Sequence, residues 1–309
     1  MDYRVVIVNI ILIFALIGVG YIAGKCKLFS AGASKEWSSL LIKVTLPFSI
    51  FSSMLRDFEK ELMINAGLLF GLGFVFLAIE AVMGQFLAKK LQVGQDKKGI
   101  WIYCCMFTNS SFMGFPVANA IWGADGVFLA SILNLSFTIM TFTVGIRLVC
   151  MGREEAAPTG WKQMIFTNIN LSIVLGLLFF MNGWTLPEPM TRLVGYLGGL
   201  TTPLSMLVIG LNLAGGKFRE LISDRDALTL SLQRLIVAPL VIYGISLLLP
   251  LDAYPMVRNI LLVIFAMPVP SLCLIFAEQY GGNCKFAMTA IFQTTLFSIV
   301  TIPLILLFL

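Results

Sequence analysis

Ten apolar stretches of about 20 residues each constrain the fold of this chain more than any other feature. A helix that crosses a bilayer needs about 20 mostly apolar residues. Charged residues, glycine or proline separate the stretches from one another. They lie at 5–24, 36–55, 62–88, 99–122, 126–149, 163–183, 190–214, 227–249, 256–279 and 284–308. The pattern predicts an all-α polytopic membrane protein with ten transmembrane helices, numbered spans one to ten.

The composition agrees with a chain that folds in lipid. Hydrophobic residues make up 59% of the sequence and charged residues 12%, whereas soluble domains average about 45–50% and about 25%. The chain has no histidine, the commonest metal ligand and general base, so we expect no metal and no cofactor. The net charge of +5 is not clustered, so we expect no nucleic-acid partner. The lipid bilayer is the expected partner.

The distribution of lysine and arginine predicts the orientation of the chain. One set of alternate loops and their flanks carries 14 of these residues, and the other set carries 5. The richer set should be cytoplasmic. It includes the short linker 153–162, which joins spans five and six. The prediction is a multi-pass protein of the cell membrane with both termini outside.

The second half of the sequence looks like a degenerate copy of the first. The pattern T-x-P-x-S occurs at 45–49 in span two and at 201–205 in span seven, 156 residues later. Met-x-x-Pro occurs at 113–116 in span four and at 267–270 in span nine. Matches at corresponding positions of the two halves indicate an internal repeat.

The repeat divides the chain into residues 1–152 with spans one to five, the linker 153–162, and residues 163–309 with spans six to ten. Five spans are an odd number, so the second repeat must insert with the opposite orientation. Inverted repeats are typical of secondary transporters, whose substrate site lies near the bilayer midplane at the interface between the repeats.

Two spans contain residues that interrupt a helix. Span four carries Gly114 and Pro116, and span nine carries Pro268 and Pro270 two residues apart. Non-helical backbone at membrane depth is tolerated only where protein buries it or water reaches it. The helix that starts after an interruption offers unpaired N–H groups, which suit an anion. The candidate substrate-binding residues are Asn109, Ser110, Ser111, Pro116, Asn134, Pro268, Pro270, Ser271, Gln293 and Thr294.

Three charged residues lie inside spans: Lys43, Glu80 and Arg234. Charges at this depth are rare, and they are functional candidates by default. Two interpretations stay open. Glu80 pairs with a cation such as Lys43 and holds helices together, or the surplus positive charge faces a cytoplasmic vestibule and attracts an anion. Alternatively, Asn134, Gln293 and Thr294 hold helices together by hydrogen bonds.

At these residues the chain resembles the auxin efflux carrier family, which includes plant auxin exporters and bacterial malonate and malate permeases. The resemblance covers nearly the whole chain, and it is carried by 46–47, 109–116, 202–205, 267–270 and 293–303. It implies two inverted five-helix repeats, broken and crossing helices four and nine, transport of a small carboxylate, and a homodimer. The loop 151–161 is short, whereas some plant members have a long regulatory loop. A malate- or malonate-like substrate is therefore favoured over auxin.

Other functions remain as alternatives. A sodium-coupled organic-anion symporter would share the broken helices, and Glu80 would then contribute to the sodium site. A channel or a membrane sensor without transport would fit the same spans. An intramembrane enzyme is disfavoured, because the chain has no histidine, no Gly-x-Ser-x-Gly motif and no aspartate within a span.

Overall fold

The computed structural model describes residues 3–30, 32–151, 167–215 and 224–306. Across these ranges the regular structure is entirely helical, with no strand. The predicted linker 153–162 and the ends of several predicted segments lie outside the described residues. All six cysteines are free thiols.

In the first half, the residues that the structure describes form seven α-helices and three π-helical turns. The α-helices are α1 (Tyr3–Lys25), α2 (Ala33–Leu40), α3 (Leu46–Met54), α4 (Lys60–Lys90), α5 (Gln95–Met106), α6 (Phe115–Met140) and α7 (Ile146–Val149). The π turns are Leu41–Thr45, Ser110–Gly114 and Thr141–Gly145. Helix α6 bends at Gly123, whose φ of 60° and ψ of −140° are non-helical. That bend falls in the predicted gap between spans four and five, and glycine adopts such a positive φ without a side-chain clash.

In the second half, the described residues form eight α-helices and one π turn, Gln233–Val237. The α-helices are α8 (Asn168–Asn182), α9 (Glu188–Gly199), α10 (Thr201–Gly215), α11 (Arg225–Leu232), α12 (Ala238–Leu248), α13 (Pro255–Phe265), α14 (Leu272–Gln279) and α15 (Cys284–Ile305).

Five of the described helical segments are long and apolar enough to cross a membrane. They are Lys60–Lys90, Gln95–Val149, Glu188–Gly215, Arg225–Leu248 and Cys284–Ile305. Shorter apolar helices cover Ile11–Lys25, Asn168–Asn182 and Pro255–Phe265. The chain is therefore a helical, multi-pass membrane protein, while the count of ten spans and the inverted repeat stay predictions.

Three of the four π turns end two residues before a proline, at Pro47, Pro116 and Pro239. Proline lacks an N–H, so the carbonyl four residues earlier loses its usual donor. A π turn shifts the bonding by one residue: the N–H of Leu46 donates to Leu41 O, and that of Ala238 donates to Gln233 O. The helix thus continues past the proline.

The described chain forms two compact units, and each is assembled from both halves of the sequence. Unit 1 comprises Met1–Gly67, Ser111–Ile132 and Ile165–Gly216. Unit 2 comprises Leu68–Ser110, Leu133–Met164 and Lys217–Leu309.

Unit 1 is packed through glycines that let helix backbones approach. A Cβ placed on Gly20 of α1 would lie 2.9 Å from Leu207 Cα of α10, and one on Gly210 would lie 2.6 Å from Tyr21 N. A Cβ on Gly198 of α9 would lie 2.9 Å from Ser49 Cα of α3. Close backbone packing through small residues is the usual way in which membrane helices associate.

Unit 2 is packed through buried aromatic rings and polar side chains. The ring of Phe265, at the end of α13, has its centroid 5.1 Å from that of Phe137 and 6.0 Å from that of Phe76. Ser136 Oγ of α6 donates to Phe70 O of α4 at 2.7 Å. Gly84 of α4 faces Cys105 of α5. These contacts fix α4, α5, α6 and α13 around the candidate site.

Candidate functional site

The first interruption lies at residues 107–109, which we call the first break. Helix α5 ends at Met106, Phe107 is extended with φ −103° and ψ 142°, and the next π turn starts at Ser110. The sequence placed this interruption at Gly114 and Pro116. The structure places it earlier, because the π turn accommodates Pro116 and because Thr108, Asn109 and Ser110 favour local hydrogen bonds over helix.

The second interruption, residues 266–271, lies where the paired prolines predict one, and we call it the second break. Helix α13 ends at Phe265 and α14 starts at Leu272. Pro268 and Pro270 supply no N–H, so neither can extend α13. Ser271 is the N-cap residue of α14, and its side chain makes no capping hydrogen bond. It is partly exposed, whereas 266–270 are buried.

The two breaks contact each other within unit 2. The backbone N–H of Asn109 donates to Pro268 O at 2.8 Å. The N–H of Val269 donates to Thr294 Oγ1 of α15 at 3.1 Å. These bonds satisfy backbone groups that the interruptions would otherwise leave unpaired in an interior without water. The backbone donors of Asn109 and Val269 are thus already used inside the protein.

Polar side chains surround the contact between the breaks. Ser110 Oγ donates to Asn134 Oδ1 of α6 at 2.6 Å, and both residues are buried. Gln293 and Thr294 of α15 are fully buried, and Gln293 Oε1 accepts from Ser231 Oγ at 3.4 Å. The arrangement offers amide and hydroxyl groups to a polar ligand.

Eight of the ten predicted site residues fall in unit 2, and the other two fall in unit 1. Those in unit 2 are Asn109, Ser110, Asn134, Pro268, Pro270, Ser271, Gln293 and Thr294. Ser111, which is partly exposed, and Pro116, which is buried near the start of α6, belong to unit 1. Among the residues in unit 2, Asn109 bonds to Pro268 and Ser110 bonds to Asn134, while the assignment of all ten to a substrate site stays a prediction.

The three charged residues of the spans differ in burial. Lys43 belongs to unit 1, its side chain is exposed, and its carbonyl accepts from Asn168 Nδ2 at 3.1 Å. Glu80 and Arg234 belong to unit 2 and are 0% exposed. Glu80 Oε2 accepts from Gln233 Nε2 at 2.8 Å, and Glu80 also interacts electrostatically with Arg234.

Arg234 donates hydrogen bonds to three backbone carbonyls. Its Nη1 donates to Cys105 O at 2.6 Å and its Nε to Met267 O at 3.3 Å, while Nη2 donates to Phe265 O. Its guanidinium also lies over the Phe265 ring, 6.0 Å from the centroid. One of the two interpretations of these charges, attraction of an anion at a vestibule, needs a guanidinium open to solvent, whereas that of Arg234 is buried.

A second polar cluster joins the starts of α5 and α11. Lys97 Nζ lies 2.9 Å from Asp224 Oδ2 and 3.0 Å from Asp226 Oδ2, and Trp101 Nε1 donates to Asp226 O at 3.0 Å. Burial alone would raise the pKa of Asp224. The hydrogen bonds from Lys97 and from the N–H groups of Ala227 and Asp226 outweigh it, so the pKa lies below its ordinary value.

Sequence reasoning missed the role of Gln233 and left that of Thr294 open between binding a substrate and joining helices. Gln233 is the hydrogen-bond partner of Glu80, and Thr294 accepts the freed N–H of Val269. The signal for Gln233 was its place beside Arg234 inside an apolar span, because an amide there needs a partner. Nothing in the sequence identified which carbonyls Arg234 would bind, since those depend on how α11, α5 and α13 pack.

Comparison with known proteins finds a matching family model and relatives that are named as transporters. A family model described as membrane transport protein matches residues 5–306. Uncharacterized transporters of Methanothermobacter thermautotrophicus and Methanocaldococcus jannaschii are each 25% identical, over 298 and 307 residues, and cover 96% of this chain and 96% of their own. A protein of Rhizobium meliloti that is provisionally named a malonate transporter is 21% identical over 302 residues, which cover 94% of this chain and 91% of its own.

These matches run through both units and both breaks. A match over residues 5–306 of 309 leaves almost none of the chain outside the family model. The chain therefore belongs to the membrane transport protein family, which is the auxin efflux carrier family that its sequence resembles.

Proposed function

We propose that the protein is a secondary transporter that carries a small organic carboxylate across the cell membrane by alternating access. The observation that supports this most is the contact between the two breaks, where the Asn109 N–H donates to Pro268 O at 2.8 Å among buried polar side chains. Irregular backbone inside a membrane protein is typical of a substrate pathway. A relative provisionally named a malonate transporter favours a dicarboxylate of that size over auxin.

The proposed site uses neutral donors. The Asn109 and Asn134 amides and the Ser271 hydroxyl carry N–H or O–H groups that hydrogen-bond to a carboxylate. The Ser110 hydroxyl donates to Asn134 Oδ1 in this structure and joins them only by turning toward the ligand. The starts of the helices that follow the breaks add a partial positive charge. Ser111 and Pro116 are proposed to line the same pathway. A neutral site holds an anion without a buried ion pair, so the anion can also leave, which a carrier requires.

The larger architecture is part of the same proposal. Ten spans form two inverted repeats, 1–152 and 163–309, with helices four and nine broken at 107–109 and 266–271 and crossing near the midplane. The linker 153–162 is cytoplasmic and both termini are external. The protein works as a homodimer, and it is a carrier rather than an enzyme.

Counterflow in proteoliposomes tests the function. Purified protein is reconstituted into vesicles loaded with unlabelled malonate or malate, and the entry of labelled malonate is followed. We expect saturable exchange that short dicarboxylates inhibit and that indole acetate inhibits weakly. The matched control carries Arg258→Met, since that side chain pairs with the exposed Asp252 at the far end of α13. Exchange no faster than in protein-free vesicles, with every dicarboxylate and aromatic carboxylate tried, would refute the proposal.

A sodium-coupled symporter is the second candidate, and one observation favours it. Glu80 Oε1 and Gln233 Oε1 are buried oxygens without a hydrogen-bond partner. Oxygens of this kind are ligands for a small hard cation, although the nearby Arg234 charge opposes one. Replacing sodium by choline in the same counterflow assay separates the candidates. A sodium-coupled protein loses exchange, whereas the proposed carrier keeps it.

A further inference from the structure

Arg234 connects two helix ends that are distant in the sequence. It lies in the π turn Gln233–Val237, is 0% exposed, and donates from three different nitrogens to Cys105 O, Phe265 O and Met267 O. Cys105 is the penultimate residue of α5, and Phe265 is the last residue of α13. Met267 lies in the second break.

These carbonyls are the groups that a broken helix leaves without donors. The last four carbonyls of an α-helix have no partner within the helix. At the end of a soluble helix water satisfies them, but the interior of a bilayer offers no water. Each helix C-terminus also carries about half a negative charge. Two such ends facing one guanidinium together offset about one positive charge.

We propose that Arg234 is a positioning residue that ties the end of α5 to the end of α13 and so sets the relative placement of the two breaks. This inference rests on the proposed function only for its effect on transport, since the tie itself is a property of the fold. Arg234 is not proposed to touch the substrate. It acts through the carbonyls of Cys105, Phe265 and Met267.

The geometry separates this role from that of a simple counter-ion for Glu80. Glu80 Oε2 accepts from Gln233 Nε2, whereas the three donors of Arg234 point to carbonyls. Lysine keeps the charge but presents its donors from a single nitrogen. It therefore satisfies a charge role, but it cannot reach three carbonyls from three directions. Arg234→Lys and Arg234→Met thus distinguish the two roles.

Two native cysteines report the placement of the breaks without any transport assay. Cys104 Sγ of α5 lies 3.3 Å from Cys273 Sγ of α14, and both thiols are buried. In a variant whose other four cysteines are replaced by serine or alanine, iodine oxidises the pair to a disulfide. The two thiols lose two protons and two electrons, and the iodine is reduced to iodide. The rate of disulfide formation measures how closely the segments on either side of the breaks are held.

The expected result is a cross-linking rate at least tenfold lower in Arg234→Met and several-fold lower in Arg234→Lys. Arg258→Met, at the other end of α13, should cross-link at the parental rate. Gel filtration and the melting temperature in detergent show which variants are folded. If Arg234→Met does not fold, Arg234→Lys alone decides. A parental cross-linking rate in the folded Arg234→Lys variant would overturn the proposal.

The double variant Arg234→Met with Glu80→Gln tests the counter-ion role directly. Removing both charges leaves no unpaired ion but still leaves the three carbonyls without their donor. We expect the cross-linking rate to stay at least tenfold below the parental rate. Recovery to the parental rate would show that Arg234 only neutralises Glu80, and it would reject the tie.

Transport kinetics then give a measurement that a purely structural role of Arg234 would leave unchanged. In folded Arg234→Lys we expect KM for the exchanged carboxylate to rise at least tenfold and the maximal rate to change less. If the parent protein exchanges no carboxylate, the proposed function fails while the cross-linking result still decides on Arg234. A slow cross-linking rate with an unchanged KM would reject the link between the tie and the substrate site.

Discussion

Pro47 and Pro203 of unit 1 lie within helical segments, whereas Pro268 and Pro270 of the second break separate two helices. Pro47 follows a π turn, and the carbonyl of Lys43, four residues before it, accepts from Asn168 Nδ2 at 3.1 Å. Pro203 is the third residue of α10, where a missing N–H removes no bond. Pro268 and Pro270 instead separate α13 from α14.

The difference shows that proline alone does not create an interruption at membrane depth. At the second break Arg234, Thr294 and the Asn109 backbone satisfy the groups that helix would have satisfied. Unit 1 has close glycine packing between its helices, and unit 2 combines such packing with this polar network. A gap in a membrane helix therefore persists where other residues supply the missing partners.

The largest effect on folding is expected from Gly20→Val in unit 1. A Cβ at this position would lie 2.9 Å from Leu207 Cα and would also clash with the Leu207 carbonyl, and a backbone cannot move aside as a side chain can. Overpacking costs about 1–3 kcal/mol or more, so we expect a several-fold loss of monodisperse protein in gel filtration. The control is Gly18→Val on the same helix, where nothing lies within 4 Å. Equal yields from the two variants would contradict close packing of α1 on α10.

Exchanging prolines for alanine tests the comparison itself. Pro270→Ala restores an N–H at the second break and lets helix extend into it, so we expect turnover to fall at least tenfold with little change in expression. Pro203→Ala in the first turn of α10 should leave turnover within about twofold. Counterflow rates, normalised to folded protein, measure both. If the two variants lose the same fraction of turnover, the prolines of the two units do not differ in role.

Much of the fold is readable from the sequence because hydropathy and helix breakers act locally. Runs of apolar residues marked the helical segments, and Pro268 with Pro270 marked the second break. The first break was misplaced toward Pro116, because a π turn can absorb a proline and its formation depends on neighbouring helices. The partners of Glu80 and Arg234 were not readable either, since they lie more than 25 residues away in the sequence and meet only through packing.

A smaller effect is expected from Thr294→Val. The variant keeps the shape of the side chain but removes the hydroxyl that accepts the N–H of Val269 at 3.1 Å. Leaving a buried donor unpaired costs about 1–3 kcal/mol. We expect a lower melting temperature and a three- to tenfold weaker substrate affinity. Thr143→Val is the control and should match the parent in both measurements, because the exposed Thr143 hydroxyl donates to Ile139 O one turn earlier in the same helical segment.

The smallest effect is expected from Lys97→Met in the second polar cluster, where Lys97 pairs with Asp224 and Asp226. Ion pairs that are partly exposed contribute about 0.2–1 kcal/mol, so the melting temperature at pH 7 should fall by about 1–4 °C. Because the pKa of Asp224 is lowered in the folded protein, this stabilisation is present above its ordinary pKa and is lost as the pH falls through the folded value. The difference in melting temperature between the variant and the parent should therefore become smaller in acid. A difference that stays the same at pH 3 would show that the ion pair is not its cause.

The dissociation constant of the exchanged dicarboxylate for Asn109→Ala tests the account most directly. The change removes about one hydrogen bond to a charged group, worth about 1.5–3 kcal/mol, so affinity should fall about ten- to a hundredfold. Asn65→Ala, a buried asparagine of unit 1 whose Oδ1 has no partner, should bind like the parent. A dissociation constant for folded Asn109→Ala equal to that of the parent would contradict a site at the two breaks.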